Sequence, residues 1–169
     1  NNTLWTPAAT NEAGSIELQT VGRSQCGVKV QNQALILTTT DAHTATYSGP
    51  PYVYGIERVG TSCGIVSAQG VSVVDAGAFW MGKESFFMYS GGTVKELESD
   101  VADYVYSNIN VSQMAKVVAV SNAKFSEIRW FYPSDDNTEN NRYVSFNYQE
   151  NTWTIGQLAR TAGVDAGVY

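Results

Sequence analysis

The chain has a single histidine, and its neighbours raise the question of acyl-transfer chemistry. His43 lies two positions after Asp41 in a threonine-rich stretch. A histidine oriented by an aspartate can activate a hydroxyl nucleophile. Nothing in the sequence marks a strained elbow that would present such a nucleophile. We therefore interpret His43 as a surface or turn residue rather than as a catalytic base.

Oxygen ligands for calcium are concentrated in one polar stretch. Asp135, Asp136, Asn137 and Glu139 could together surround a hard cation. Their spacing lacks the glycine and the later glutamate of the helix–loop–helix calcium loop. Asp and Asn are also favoured at tight turns. We therefore expect a solvated hairpin tip here, and no metal ion.

Glycoside cleavage needs two carboxylates across a cleft. Asp41, Asp75 and Glu84 stand in predicted turns, where a propeller would place a site, but turn carboxylates are common without catalysis. A sialidase-like site would use a cluster of arginines. The chain has arginines, but no aspartate-box repeat accompanies them, so this site is not indicated. The arginines considered are Arg23, Arg58, Arg129, Arg142 and Arg160.

The two cysteines, Cys26 and Cys63, each precede a glycine. Two cysteines make neither a disulfide framework nor a zinc site. We expect small buried residues or free thiols. The sequence predicts no cofactor.

Aromatic residues occur in short groups that could stack on sugars or bases. The groups are Phe79-Trp80, Phe86-Phe87 and Trp130-Phe131-Tyr132. In a strand, successive side chains point to opposite faces, so half of each group should enter a core. Core packing is therefore the favoured interpretation.

Composition favours β structure and argues against phosphate binding. Charged residues make up only 15% of the chain, which is rich in Tyr and Gly, as suits strands and tight turns. Ten basic and 16 acidic residues give a net charge of −6. A surface that grips nucleic acid should be basic. We expect double-stranded DNA to pass without tight binding.

Neither a membrane span nor a secretory leader is predicted. No apolar run approaches the roughly 18 residues that a spanning helix needs, and no basic-then-apolar segment opens the chain. The start at Asn1 rather than Met indicates processing or a fragment.

A repeat organises the first hundred residues. Cys26-Gly27 and Cys63-Gly64 open two similar stretches, each followed by an apolar strand pattern and a tyrosine, Tyr47 or Tyr89. The spacing is close to the roughly 40–50 residues of propeller blades. Strand patterns joined by glycine-bearing turns predict antiparallel meanders. Further strands are predicted at 15–18, 71–74, 93–97, 117–120, 127–132, 142–148 and 152–155.

One helical segment interrupts the strands. Ser99 is a candidate N-cap, and Asp100 and Asp103 suit the positive end of a helix dipole. Helical spacing predicts a helix over residues 100–108, with a further turn at 111–116.

The sequence thus predicts a mostly all-β fold. It is a propeller-like array of antiparallel meander sheets with one short helical insertion. Since closed propellers usually have four or more blades, the array should be a partial propeller. The predicted units are an irregular lead-in 1–20, blade-like units 21–58 and 59–97, a helical insertion 98–116, a third blade-like unit 117–160 and a tail segment 161–169.

From Ile56 onward, the chain contains an ordered series of short motifs. The motifs are Glu57-Arg58-Val59-Gly60 with Cys63-Gly64, Phe79-Trp80-Met81-Gly82, Gly91-Gly92-Thr93-Val94-Lys95, Asp103-Tyr104-Val105, Glu127-Ile128-Arg129-Trp130-Phe131-Tyr132-Pro133-Ser134, Glu139-Asn140-Asn141-Arg142-Tyr143-Val144, and Asn147-Tyr148 with Trp153, Gly156 and 158–162. This series resembles the tail-hub proteins of short-tailed bacteriophages, also called packaged-DNA-stabilisation or tail accessory proteins.

This resemblance implies a structural, non-enzymatic protein of the virion tail, assembled in the host cytoplasm. It implies a hexameric ring of copies that contacts adaptor or portal-side proteins and the tail needle or tip. The ring would line the DNA exit channel and retain packaged DNA. Joined to the charge, the resemblance makes four acidic turn residues candidates for the channel wall, namely Asp41, Asp75, Glu84 and Asp135.

Two alternatives stay open. One is a carbohydrate-binding or glycan-degrading propeller module of a phage tail. The other is a general interaction module of a cell, since a propeller fold alone does not define a function.

Overall fold

Three four-stranded antiparallel sheets form the protein in a computed structural model that describes residues 6, 13–49 and 53–164. Sheet 1 contains β1 (Ser24–Val30), β2 (Gln33–Thr38), β3 (Ala42–Tyr47) and β4 (Tyr54–Gly60). Sheet 2 contains β5 (Val71–Val74), β6 (Gly77–Met81), β7 (Phe86–Ser90) and β8 (Thr93–Leu97). Sheet 3 contains β9 (Val118–Asn122), β10 (Glu127–Tyr132), β11 (Arg142–Asn147) and β12 (Thr152–Gln157).

Each sheet is a meander in which neighbouring strands are consecutive in the chain. The β7–β8 hairpin shows the local cause. Its two central residues, Gly91 and Gly92, have φ values of 60° and 87°. A two-residue hairpin turn with positive φ at both positions matches the twist of its strands, and glycine adopts that conformation without steric cost.

Sheet 2 lies between the other two sheets and is buried on both faces. Trp80 faces sheet 1, in a core with Leu35, Leu37 and Tyr89. Phe79, the preceding residue, faces sheet 3 in a second core. The second core also contains Met81, Phe86, Val105, Ile109, Val117, Ile128, Trp130, Tyr132, Val144 and Phe146. Each fully buried large side chain contributes about 1.5–3 kcal/mol to stability, so both interfaces hold the stack together.

The sheets are arranged as blades. The first strands of the three sheets lie side by side, since β5 contacts both β1 and β9. The amide of Ala119 also donates to the carbonyl of Gln69 at 2.8 Å. At the outer side, β4 contacts β8. The prediction of a mostly β, propeller-like array is therefore confirmed, with three blade-like sheets among the described residues.

Some local predictions were wrong. Residues 15–18 form no strand. Cys26 lies within β1, whereas Cys63 lies in the connection between β4 and β5, so the two Cys-Gly pairs are not equivalent. The connection carries Cys63-Gly64 because it passes very close to sheet 1, where a Cβ on Gly64 would lie 2.1 Å from the carbonyl oxygen of Thr39. The division into blade-like units stays a prediction.

The helical insertion is shorter than predicted. Helix α1 spans Ala102–Asn108, and a 3-10 helix spans Val111–Lys116. Val101 is the N-cap, and Ser99 makes no cap to α1, although its hydroxyl accepts from the Val101 amide at 3.4 Å. Val105 and Ile109 anchor the segment in the core between sheets 2 and 3. A second 3-10 helix, Ala123–Phe125, links β9 to β10.

Candidate functional site

The loops between the second and third strands of all three sheets gather at one end of the array. In sheet 1, the carbonyl oxygens of Thr38 and Thr40 accept from the amides of Ile65 and Cys63, both at 3.0 Å. In sheet 2, the Tyr106 hydroxyl of α1 donates to the carbonyl oxygens of Gly82 and Ser85. We call this the connector end, because the connections between sheets pack there.

The β10–β11 loop also lies at the connector end. The Asn110 amide donates to the carbonyl oxygen of Pro133 at 3.0 Å, and the Asp135 amide donates to that of Asn108 at 2.7 Å. The Asn141 carboxamide accepts from the Ser134 amide at 2.8 Å. The loop is therefore an ordered element braced against the helical insertion, although its tip is exposed as predicted.

A cleft of about 550 Å³ opens at the end of the array where β1, β5 and β9, the first strands of the three sheets, begin. Residues from separate parts of the chain line it, namely Gln25, Val66, Ser67, Ala68, Gln69, Ala115, Lys116, Val118, Glu139, Asn140 and Thr161. The polar groups are mostly neutral amides and hydroxyls. Among the described lining residues there is no aromatic ring, histidine or cysteine, so the cleft is suited to hydrogen bonding rather than to stacking.

Three contacts fix the polar wall of the cleft. Lys116 Nζ lies 2.6 Å from Glu139 Oε1 in an exposed ion pair. Ser67 Oγ donates to the carbonyl oxygen of Ala115 at 3.0 Å. Asn140, which is 3% exposed, donates from Nδ2 to the carbonyl oxygen of Lys116 at 2.8 Å. Its Oδ1 is buried without a partner, so the wall holds one unused acceptor.

The four candidate wall carboxylates are not brought together. Glu84 and Asp135 are exposed in loops at the connector end, and Asp75 is exposed in the β5–β6 turn at the opposite end. Asp41 is also at the connector end but is only 8% exposed, and its Oδ2 accepts from Thr20 Oγ1 at 2.7 Å. Asp41 therefore braces the chain entering sheet 1.

The interpretation of His43 as a surface or turn residue was wrong. His43 lies within β3, opposite Ile36 and Arg58, and is 2% exposed. Neither ring nitrogen has a hydrogen-bond partner. Asp41 immediately precedes β3 and uses its carboxylate on Thr20, so it does not orient the imidazole.

The arginines lie on different surfaces. Arg58 is on the outward face of sheet 1, and Arg129 is on that of sheet 3, with its guanidinium 4.7 Å from the centre of the Tyr143 ring. Arg142 donates to the Tyr104 hydroxyl, and Arg160 donates to the carbonyl oxygen of Ala159. Arg23 is exposed just before β1. These positions form no single anion pocket.

The calcium candidates Asp135, Asp136, Asn137 and Glu139 are all exposed. Within the described ranges, no group of three or more His, Cys, Asp or Glu side chains is placed to hold a metal ion.

Core packing of the aromatic groups is confirmed, and two of the groups are buried beyond the half that strand alternation predicted. Phe79, Trp80, Phe86, Trp130 and Tyr132 are fully buried. Burial, and to a smaller extent Glu96, raises the pKa of Tyr106, which keeps its hydroxyl a proton donor to the sheet 2 loop. Both cysteines are free thiols, with Cys63 buried and Cys26 half-buried.

Sequence reasoning missed the cleft. Apart from Lys116 and Glu139, its lining residues are uncharged, and they come from β1, β9, two connections, a loop and the segment after β12. Only the arrangement of the three sheets brings them together. The one signal in the sequence was the Asn-rich stretch 137–141, which we interpreted as solvated.

Comparison with known proteins gives no family. No protein-family model matches the chain, and no curated protein matches it significantly. Among solved structures it is similar to the Neurospora crassa Pan2 WD40 domain, at 13% identity and a TM-score of 0.47, over 82% of this chain and 38% of that one. The chain thus spans less than half of that domain's length.

Two further similarities are weaker. A chain of the Saccharomyces cerevisiae Dbp5 complex with Nup159, Gle1, IP6 and ADP is 10% identical, with a TM-score of 0.45 over 78% of this chain and 36% of that one. The hemopexin-fold protein CP4 from cow pea is 11% identical, with a TM-score of 0.37 over 82% and 68%. None of these similarities supports an argument about function. No helix in the described part of the chain is long and apolar enough to cross a bilayer.

Proposed function

We propose that the chain is a structural, non-enzymatic component of a short-tailed bacteriophage tail, a hub or nozzle segment that lines the DNA exit channel and retains packaged DNA until ejection. The motif resemblance from Ile56 onward supports this function. The structural observation that carries it is the burial of adjacent Phe79 and Trp80 in opposite cores. A sheet fixed on both faces makes a stiff wall, since close-packed interiors resist deformation.

The charges suit passage of DNA without tight binding. The chain has a net charge of −6, and Glu84, Asp135 and Asp75 are exposed at its two ends. Carboxylates on a channel wall repel phosphate, so DNA would slide along it. Lys116 at the cleft is neutralised by Glu139.

In this function the protein works as a hexameric ring of copies. The ring contacts adaptor or portal-side proteins above it and the needle or tip proteins below it. It is located in the virion tail after assembly in the host cytoplasm. These partners follow from the resemblance and belong to the proposal.

Retention of DNA in particles tests the function. Virions assembled without this protein should fill with DNA and then lose it, which is measured as nuclease-protected DNA per particle, and the wild-type protein supplied in trans should restore retention. Particles that hold their full DNA without the protein would overturn the proposal. Tight, salt-dependent binding of the purified chain to duplex DNA would count against the sliding mechanism.

The cleft favours a second candidate, a carbohydrate-binding or glycan-degrading module of a phage tail. Its volume of about 550 Å³ lies within the roughly 300–1,000 Å³ of ligand sites. The buried, unpartnered Oδ1 of Asn140 could accept from a hydroxyl after a small side-chain movement. A glycan array and a depolymerase assay decide this alternative, and binding lost in Asn140→Leu but kept in Asp75→Asn would support it.

A further inference from the structure

Buried polar groups without partners are concentrated on the two outward-facing sheets. Of five such atoms among the described residues, His43 supplies two, and Arg129 Nε and Ser145 Oγ supply two more. The fifth is Asn140 Oδ1 in the cleft. Native proteins pair nearly all buried polar groups. Four of the five lie on the sides of sheets 1 and 3 that face away from sheet 2, where the chain itself already covers His43 and Ser145 to 2% and 3% exposure. The sheet 1 side nevertheless leaves Tyr47 and Tyr54 61% and 53% exposed.

The first of these sides is the outward face of sheet 1, which we call the leading face. Strand pairing places its residues in rows with their side chains pointing away from sheet 2, because the alternate residues belong to the core with sheet 2. None of its members belongs to either apolar core. The members are Lys29, Ala34, Ile36, His43, Ala45, Tyr47, Tyr54, Ile56 and Arg58.

The second side is the outward face of sheet 3, which we call the trailing face. The same alternation sends Ile128 and Trp130 toward sheet 2 and their neighbours outward. The members are Val118, Val120, Glu127, Arg129, Phe131, Tyr143, Ser145, Thr154 and Gly156. Arg129 is directly opposite Ser145 here, so the two unpartnered donors are adjacent.

The leading and trailing faces correspond to the two sides of the sheet–sheet interface that occurs twice within one copy, between sheets 1 and 2 and between sheets 2 and 3. Ile36 in β2 corresponds to Trp80 in β6 and Trp130 in β10, because each lies at the same position in the second strand of its sheet. The side chain of each points toward the side on which the preceding sheet of the chain would lie. Trp80 packs on sheet 1, and Trp130 packs on sheet 2. Ile36 has no preceding described sheet to pack against.

We propose that the leading face of one copy docks on the trailing face of a second copy, which extends the stack of sheets head to tail. The inference rests on the ring of the proposed function and identifies the surface that builds it. A head-to-tail contact of this kind uses two different patches on each copy, so it generates a closed ring when the rotation closes and an open filament when it does not.

Charge agrees with this pairing. The leading face has two cations, Lys29 and Arg58, and no carboxylate, although the chain as a whole is acidic. The trailing face has the Glu127 carboxylate, which is 28% exposed and 3.2 Å from Arg129. The trailing face is neutral as a whole, because Glu127 is paired with Arg129 there, so docking on it avoids the repulsion of two cationic leading faces meeting.

Two exposed positions allow each face to be blocked without disturbing a core. Ala34 lies at the centre of the leading face, and Thr154 lies on the trailing face opposite Ser145. Ala34→Glu and Thr154→Arg should each leave the fold intact, which circular dichroism and thermal melting check. The matched controls are Ala76→Glu in the β5–β6 turn and Thr93→Arg on β8, both exposed and on neither face.

Sedimentation velocity on the full chain over a concentration series tests the docking. Wild-type protein and both controls should self-associate, and each blocked variant should associate at least about tenfold more weakly. An equimolar mixture of Ala34→Glu and Thr154→Arg should form a one-to-one dimer, because one variant keeps its trailing face and the other keeps its leading face. That complementation is specific to a head-to-tail contact.

Three results would overturn the docking. They are a wild-type chain that is monomeric at every concentration, blocked variants that associate as the wild type does, and a mixture that stays monomeric. None of them decides the proposed function, which the DNA-retention assay tests independently. Conversely, if the mixed variants form the dimer and virions retain their DNA without the protein, the docking interface is supported and the tail function is rejected.

Discussion

Trp80 and Trp130 hold equivalent positions in the second strands of successive sheets, and their indole N–H groups donate to the same connection. Trp80 Nε1 donates to the carbonyl oxygen of Cys63 at 2.8 Å. Trp130 Nε1 donates to the carbonyl oxygen of Gly70 at 3.0 Å. The connection between sheets 1 and 2 is thus fixed by both later sheets, which makes it the centre of the stack.

Replacing either tryptophan should destabilise the stack. Trp80→Phe leaves the buried carbonyl oxygen of Cys63 without its indole donor, which costs about 1–3 kcal/mol in the free energy of unfolding. Trp130→Phe should cost less within this range, because the carbonyl oxygen of Gly70 keeps the bond from the Met81 amide at 3.3 Å. Urea denaturation measures the loss. Trp153→Phe is the control, since the bond from Trp153 to the carbonyl oxygen of Glu98 is exposed and water can replace it. An equal loss in Trp153→Phe would contradict the role of the connection.

Replacing Gly64 should also destabilise the fold, because the chain passes very close to sheet 1 at this position. A Cβ at this position would lie 2.1 Å from the carbonyl oxygen of Thr39, whereas a Cβ on Gly14 would meet nothing within 4 Å. Gly64→Ala should therefore lower the free energy of unfolding by about 1–3 kcal/mol, the usual range for forced overpacking. Gly14→Ala should change it little. Thermal or urea unfolding of the pair checks the difference, and an unchanged Gly64→Ala would show that sheet 1 and the connection are loosely packed.

Cys63 should make stability fall in alkali. Burial, and to a smaller extent the nearby Asp41 carboxylate, raises the pKa of the Cys63 thiol from about 9 to about 11. The folded state therefore keeps the proton while the unfolded chain loses it. This contribution is complete below pH 9 and is lost as the pH rises toward 11. The unfolding free energy of Cys63→Ser should fall less steeply across that window, and identical slopes would refute the assignment.

Replacing His43 by an apolar residue should increase the stability of the chain. Both ring nitrogens are buried without partners, and an unsatisfied buried group costs about 1–3 kcal/mol. His43→Leu should raise the free energy of unfolding of the monomer by about 1 kcal/mol, whereas His43→Gln, which keeps unpaired polar atoms, should not. A destabilised His43→Leu would mean that the imidazole has a bonding partner in solution.

Much of the fold could be predicted because strand periodicity and glycine turns are local signals. The hairpin at Gly91-Gly92 and the strand with Phe79-Trp80 are examples. The alternation at Phe79 and Trp80 was interpreted as one face buried and the other exposed. The structure buries both, because sheet 2 is central. A strand's own sequence does not tell how many sheets cover it.

The candidate sites were less predictable, since they depend on packing between distant segments. His43 has polar neighbours in sequence, yet strand pairing places it beside Ile36 and Arg58. Asn140 lines a cleft together with Gln25 and Ser67, which are more than 70 positions away in the chain. No local pattern records such proximity.

Electron microscopy of virions labelled with an antibody against this chain tests the central claim most directly. The account predicts density for three stacked antiparallel sheets per copy, repeated around the tail axis at the tail vertex. Label found elsewhere on the particle, or absent from particles altogether, would contradict it.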